Sequence, residues 1–279
     1  MSAEPVLKVE NLHVKDDRTG RAIVHSSSFQ IERGKCLAIV GESGSGKSVT
    51  CRALMKLNKP WLCQSGQIFV AGEPLHDLPE HKMREKRGSK MGLIPQNGMS
   101  AFTPSATIGA QLKEILKGHV SWSMAETTQR IGDALARVKL EHPSDILKKY
   151  PHQLSGGMLQ RIMIALMILL EPDLVIADEP TSALDTVTQA EVAEQFIRLV
   201  KELKCALLFV SHDLGVVRQV ADDVLVMRHG VLVERGSVAD IFDRPRQAYT
   251  KQLVFAKLEL ADHFHQVMGR AYHAERTFG

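Results

Sequence analysis

The sequence predicts an α/β fold, with a largely parallel sheet, an antiparallel N-terminal β layer and an inserted helical lobe. Three features point there. The apolar runs at 37–40, 174–177 and 206–210 are too apolar to leave a face in water, as suits parallel strands covered on both sides. Between the last two, Phe196, Leu199, Val200 and Leu203 recur at i, i+3, i+4, i+7, the pattern of an amphipathic crossover helix. Residues 97–153 show helical spacing with few strand signals.

In chain order, residues 6–31 alternate and contain the turn-like Asp16-Asp17-Arg18-Thr19-Gly20, which suits an antiparallel hairpin. Residues 66–72 add a strand to that layer. The run at 37–40 feeds directly into Gly41, and Val49, Ala53, Leu54 and Leu57 suit a helix beginning just beyond. Ile108, Leu112, Ile115 and Leu116, then Ile131, Leu135 and Val138, space as helices of the lobe. The pairs 224–227 and 231–234, joined through His229-Gly230, read as a late hairpin, and Ser237 as the cap of a following helix. The expected division is 1–96 with 154–236 as the core and its β layer, 97–153 as the lobe, and 237–279 as a C-terminal helical tail.

Composition sets bounds. The 279 residues, 44% of them hydrophobic, can bury a substantial core. A net charge of +3, from 35 basic and 32 acidic residues, gives no field that implies nucleic acid. The basic stretch 82–90 reads as a solvated face. Residues 1–10 lack the apolar segment of a signal peptide. The apolar run 162–170 is far short of the ~18–20 residues that span a bilayer, so a membrane role requires a partner. Cys36, Cys51, Cys63 and Cys205 are scattered without a C-x-x-C pair and read as small hydrophobes in a reducing compartment.

The chemistry begins with Gly41-Glu42-Ser43-Gly44-Ser45-Gly46-Lys47-Ser48, a phosphate-binding loop between a strand and a helix. Its glycines let backbone N–H groups face inward, toward the β- and γ-phosphates of a nucleoside triphosphate, beside the positive end of the helix. Lys47 supplies a point charge and Ser48 a hydroxyl for Mg²⁺. Asp178-Glu179 ends an apolar strand, where open α/β sheets bind ligands. Asp178 is suited to holding Mg²⁺ through its water shell, and Glu179 to polarising the attacking water. Ser155-Gly156-Gly157 opens a long apolar helix, with Ser155 as its cap, and makes a second anion-seeking helix start. One loop already serves the phosphates, so the second makes best sense facing another subunit's nucleotide.

These motifs, with Gln96 and His212 in order between and after them, resemble ATP-binding cassette (ABC) transporter ATPases, a P-loop NTPase family, over residues 6–236. The resemblance implies two cassettes, homo- or heterodimeric, packed head-to-tail around two ATP molecules. Each phosphate loop then faces the partner's Ser155, Gly156 and Gly157. It further implies that Gln96 touches Mg²⁺ and the water, that Asp185 sits at the subunit interface, and that His212 contacts the γ-phosphate and steadies Glu179. The expected partners are two integral membrane permease subunits and an extracytoplasmic solute-binding protein, with the chain peripheral on the cytoplasmic face of the membrane.

Within the family, residues 150–158 and the tail Arg244-Pro245-Arg246-Gln247-Ala248-Tyr249-Thr250 resemble the oligopeptide, dipeptide and nickel importer branch, and residues 157–165 resemble its nickel-type members. Gln247-Ala248 stand where that branch often has His-Pro. No cysteine follows Cys205, so the iron–sulfur cluster of some peptide-type tails is not expected. Two departures are plain: Asp16 stands where an adenine-stacking aromatic is usual, leaving His13 as a substitute, and Asn97-Gly98 replace Asp-Pro after Gln96. The rival reading is a soluble cassette acting in a nucleic-acid or enzyme complex, which usually carries a coiled coil, a zinc module or a second cassette.

Overall fold

The structure is a computed structural model and describes residues 4–256. Of the expected tail, 237–256 is described, and residues 257–279 lie outside the described residues.

Strands β1 (Leu7–Asp16) and β2 (Ala22–Ile31) lead into β3 (Cys36–Val40), helix α1 (Lys47–Leu54), strands β4 (Leu62–Val70) and β5 (Glu73–Pro74), and α2 (Glu80–Lys86). After β6 (Met91–Ile94) come four helices, α3 (Gly98–Ala101), α4 (Ile108–Lys117), α5 (Met124–Arg137) and α6 (Pro143–Ile146), then the long α7 (Gly156–Leu170). The chain returns through β7 (Leu174–Asp178), α8 (Thr186–Leu203), β8 (Ala206–Val210), α9 (Leu214–Val220), β9 (Asp223–Arg228), β10 (Val231–Ser237) and α10 (Val238–Asp243). A last helical segment runs from 248 to 256.

Two sheets result. The antiparallel one has the order β2-β1-β4-β5, and the larger one β10-β9-β3-β8-β7-β6, parallel except for β10. The hairpin of β1 and β2 closes where Gly20 N–H returns to the Asp16 carbonyl at 2.8 Å.

All five residues of β3, β7 and β8 are buried, and alternate side chains enter two different cores. Ala38, Val40, Val175, Ala177, Leu207 and Phe209 face the helical side, packed with α7 and α8. Leu37, Ile39, Leu174, Ile176, Leu208 and Val210 face the antiparallel sheet and α1. This is the period-two pattern of strands sandwiched between layers, and it explains why these runs contain no polar position before Asp178. Phe196 of the crossover helix meets Phe209 edge-on, ring centroids 5.4 Å apart and both fully buried. Truncating either to Ala is expected to cost about 3–5 kcal/mol.

Within the basic stretch, Lys86, Arg87 and Lys90 each meet a carboxylate. Lys86 pairs with Glu73, and Arg87 forks onto Glu80 while its guanidinium also donates to the Met55 carbonyl. Cys36, Cys51 and Cys205 are buried, and burial raises their thiols, that of Cys205 to about 11. They act as inert core residues.

Candidate nucleotide site

Four parallel neighbours, β3, β8, β7 and β6, end at the same edge of the sheet. Their carboxyl ends deliver, in spatial order, the phosphate loop from Gly41, then His212, then Asp178 and Glu179, then Gln96. Residues distant in sequence thus converge because parallel topology points every strand the same way.

The loop is shaped by what surrounds it. A Cβ on Gly41 would lie 2.1 Å from the Met227 carbonyl oxygen, so strand β9 passes too close for any side chain. Gly46 caps α1 with φ +107°, a conformation that strains other residues, and no side chain occupies the first amides of the helix. Those amides are left to an anion. From below, Gly230 N–H donates to the Ser45 carbonyl at 2.8 Å, so the β9–β10 hairpin supports the loop. Ser43, Gly44, Gly46, Lys47 and Ser48 line one cleft together with Gln96 and Glu179.

Lys47 is only 5% exposed, and its Nζ donates to the carbonyls of Gly41 at 2.9 Å and Glu42 at 2.8 Å. Burial lowers its pKa, opposed by the Glu179 and Asp178 carboxylates. Ser48 Oγ donates to Asp178 Oδ1 at 2.8 Å. Burial raises the Asp178 carboxyl above its ordinary value, against the Ser48 hydrogen bond and the charge of Arg52. A desolvated carboxylate beside a hydroxyl is a hard-oxygen pair that gains from a divalent cation, so the residues fit Mg²⁺. Among the described residues no group of three or more His, Cys, Asp or Glu is placed to hold a metal ion.

Glu179 follows directly, with φ +50° and its N–H donating to the Val210 carbonyl at 2.9 Å. One of its oxygens, Oε2, is approached from two sides, by His212 Nδ1 at 3.1 Å and Gln96 Nε2 at 3.4 Å. The carboxylate is thus aimed over the cleft that Lys47 and Ser48 line.

The remaining residues form a separate group. Ser155 caps α7, its Oγ accepting from Met158 N–H at 3.2 Å. Asp185 caps α8, with Oδ1 accepting from Thr188 N–H at 3.0 Å and Oδ2 from the Thr188 hydroxyl at 2.6 Å. The two helix starts abut: a Cβ on Gly157 would lie 2.3 Å from Thr188 Cγ2, and one on Gly156 would lie 3.3 Å from Leu184 Cδ2. None of Ser155, Gly156, Gly157 and Asp185 lines either cleft beside the phosphate loop.

Beside Gly44 a further cleft is lined by Asp16, Thr19, Arg21, Ala22, Ile23 and His229, with no Phe, Tyr or Trp. His13 is not among its lining residues; its ring packs edge-on against His25 at 6.0 Å. Sequence reasoning passed over three residues near the site. Gln160, 2% exposed, donates from Nε2 to the carbonyls of Pro95 and Gln96, each at 3.3 Å. A glutamine in a helix whose one other polar side chain is Arg161 is the available signal. Tyr249 and Leu253 of the C-terminal segment also reach the site.

A protein-family model described as ABC transporter matches residues 24–182. This chain belongs to the ABC transporter family. The cassette is 42% identical over 263 residues to the metal-staphylopine import system ATP-binding protein CntD of Staphylococcus aureus, covering 94% of this chain and 97% of that protein. It is 42% identical over 255 residues to the dipeptide transport ATP-binding protein DppD of Bacillus subtilis, covering 90% and 76%. Among solved structures, a dimeric ATP-binding cassette in a post-hydrolysis state with ADP and Pi aligns with TM-score 0.73 at 25% identity, over 83% of this chain and 98% of that one. CbiO1 of Clostridium perfringens aligns with TM-score 0.73 at 26% identity, over 98% and 99%. The expected ABC fold class is borne out, and the relatives agree with the oligopeptide, dipeptide and nickel importer branch.

Proposed function

We propose that this chain is the ATP-hydrolysing subunit of an ABC importer for a small solute, a metal chelate or a peptide. The observation that carries the mechanism is the shared Glu179 oxygen, contacted by both His212 and Gln96. In this reading the loop amides from Gly41 to Ser48 and the Lys47 ammonium hold the β- and γ-phosphates. Glu179 accepts a hydrogen bond from the attacking water and takes its proton as the water oxygen bonds to the γ-phosphorus and the bond from that phosphorus to the β–γ bridging oxygen breaks, releasing ADP and phosphate. His212 holds Glu179 in position and reaches the γ-phosphate. Ser48 and Asp178, with Gln96, would hold Mg²⁺, which supplies charge neutralisation on the phosphates.

Ser155, Gly156 and Gly157 lie apart from this chain's own clefts, which supports a role at a second subunit's ATP, with Asp185 beside them at the interface. ATP closes the pair and hydrolysis reopens it. Gln96 is tied through its carbonyl to Gln160 of α7, and Gly98, two residues on, is packed so closely that a Cβ there would lie 2.9 Å from Leu159 Cβ. Closure sensed at Gln96 would thus pass to the helices of residues 97–153, the lobe that docks on the membrane subunits. Among the described residues no helix is long and apolar enough to cross a membrane, so two permease subunits would supply the path, with the chain peripheral on the cytoplasmic face and a solute-binding protein on the other.

The deciding experiment places the chain with its membrane subunits in vesicles and measures ATP-dependent accumulation of a nickel chelate and of a dipeptide. Uptake of one of them, abolished by Glu179→Gln, is expected. ATP hydrolysis without uptake of either class would count against the importer reading and favour the soluble cassette.

A further inference from the structure

We propose that residues 246–254 form a working wall of the nucleotide site, with Tyr249 as a positioning residue that fixes Glu42 and, through it, the phosphate loop. The inference rests on the reading of residues 41–48 as the phosphate site.

Glu42 N–H donates to Tyr249 Oη at 3.2 Å, across 207 positions of sequence. The carbonyl of the same residue accepts from Lys47 Nζ at 2.8 Å. Both backbone polar groups of Glu42 are therefore taken, one by the lysine and one by the C-terminal segment. Glu42 is the second residue of the loop, so the segment sets where the loop begins its turn.

Tyr249 is itself held. It is 7% exposed, and the Arg228 guanidinium lies 4.7 Å from its ring centroid. Arg228 directly follows Met227, whose carbonyl touches Gly41. At the start of the segment, Glu234 of β10 accepts from the N–H groups of Arg246 at 2.8 Å and Gln247 at 3.1 Å. One turn beyond Tyr249, on the same helical face, Leu253 lines a cleft with Gly41, Glu42, Lys47, Glu179 and His212. The segment is thus anchored on the late hairpin at one end and, at the other, lines a cleft shared with the phosphate loop, Glu179 and His212.

Tyr249→Phe deletes only the hydroxyl. The full chain is titrated with a fluorescent ATP analogue and Mg²⁺, and ATPase kinetics are measured with its partner ATPase. Tyr249→Phe is expected to weaken nucleotide binding about three- to tenfold, the span of one hydrogen bond's net contribution. KM rises by the same factor and kcat changes less than about twofold, because the loop grips ground and transition states alike, while the melting temperature without nucleotide falls by no more than about 2–4 °C, the cost of one lost hydrogen bond. Glu234→Gln, which loosens the anchor without touching the loop, shifts affinity the same way by less, and decides the matter if Tyr249→Phe does not fold. Phe255→Ala, on the exposed face of the helix over 248–256, changes neither affinity nor KM. Lys47→Ala separates the two readings. If it binds nucleotide normally, the phosphate site is misplaced and the inference goes with it. If Lys47→Ala loses binding while Tyr249→Phe and Glu234→Gln bind as wild type, the segment is a passive cover and the proposal is overturned.

Discussion

His212 Nδ1 stands 3.1 Å from Glu179 Oε2, and the glutamate backbone is left-handed, at φ +50°. A non-glycine residue in that region carries about 1–3 kcal/mol of strain and persists only when its surroundings hold it. Here the holders are the Val210 carbonyl, His212 and Gln96. The strain turns the carboxylate away from the strand direction and over the cleft.

Glu179→Gln keeps the shape and removes the carboxylate proposed as the base. It should bind ATP with Mg²⁺ as wild type does and hydrolyse it roughly 10²–10⁴-fold more slowly, accumulating a closed dimer. Phosphate release and the dimer population by size-exclusion chromatography measure both arms. Near-normal turnover would remove Glu179 from the chemistry.

Asp178 ties function to pH-dependent stability. Its folded pKa is raised by burial, so between its ordinary value and the folded value the native state binds more protons than the unfolded chain. Stability therefore falls as pH rises through that window and stays reduced at neutral pH. Asp178→Asn, which can still accept from Ser48, should melt a few degrees higher than wild type at pH 7 without nucleotide. The gain should vanish as pH approaches the ordinary carboxylate range, where the native carboxyl is protonated. The same variant should lose the extra thermal stabilisation that Mg²⁺ adds to ATP. A lower melting point at pH 7 would contradict the burial argument.

Much of this was legible in sequence because each motif ends a strand. Residues 37–40 ending at Gly41, 174–178 ending at Glu179, and 206–210 leading to His212 are local patterns, and parallel topology does the rest. What sequence could not show are contacts set by packing between layers. Nothing at Tyr249 points to Glu42, and nothing at Gly157 names Thr188 as its neighbour. His13, offered as an adenine contact from its place in the first strand, faces His25 instead of the cleft beside Gly44. On a strand a one-residue offset reverses the side chain's face, and β1 carries register shifts on both sides of Leu12.

The abutment of α7 and α8 makes a prediction about packing. A methyl at Gly157 would strike Thr188 Cγ2 at 2.3 Å, and Thr188 cannot swing away freely while its hydroxyl is bonded to Asp185. Gly157→Ala should destabilise the chain by about 1–3 kcal/mol. Adding Thr188→Ser, which deletes the offending methyl and keeps the hydroxyl, should restore most of the loss. Denaturant melts of the single and double variants test this; additive effects would show that the contact is not the cause.

The separation of Ser155 from the clefts around Lys47 predicts complementation between subunits. One subunit carries Lys47→Ala and its partner carries Ser155→Arg. If Ser155 serves the opposite subunit's ATP, both lesions fall on one composite site and the other remains intact. The purified mixed dimer should then bind one ATP with wild-type affinity. If Ser155 serves its own subunit, each site carries one lesion and no high-affinity site survives. Where the natural partner is a related ATPase, the two substitutions are divided between the two chains at matching positions. Counting bound nucleotide per dimer separates the cases, because only the head-to-tail arrangement leaves one phosphate loop facing an unaltered helix start.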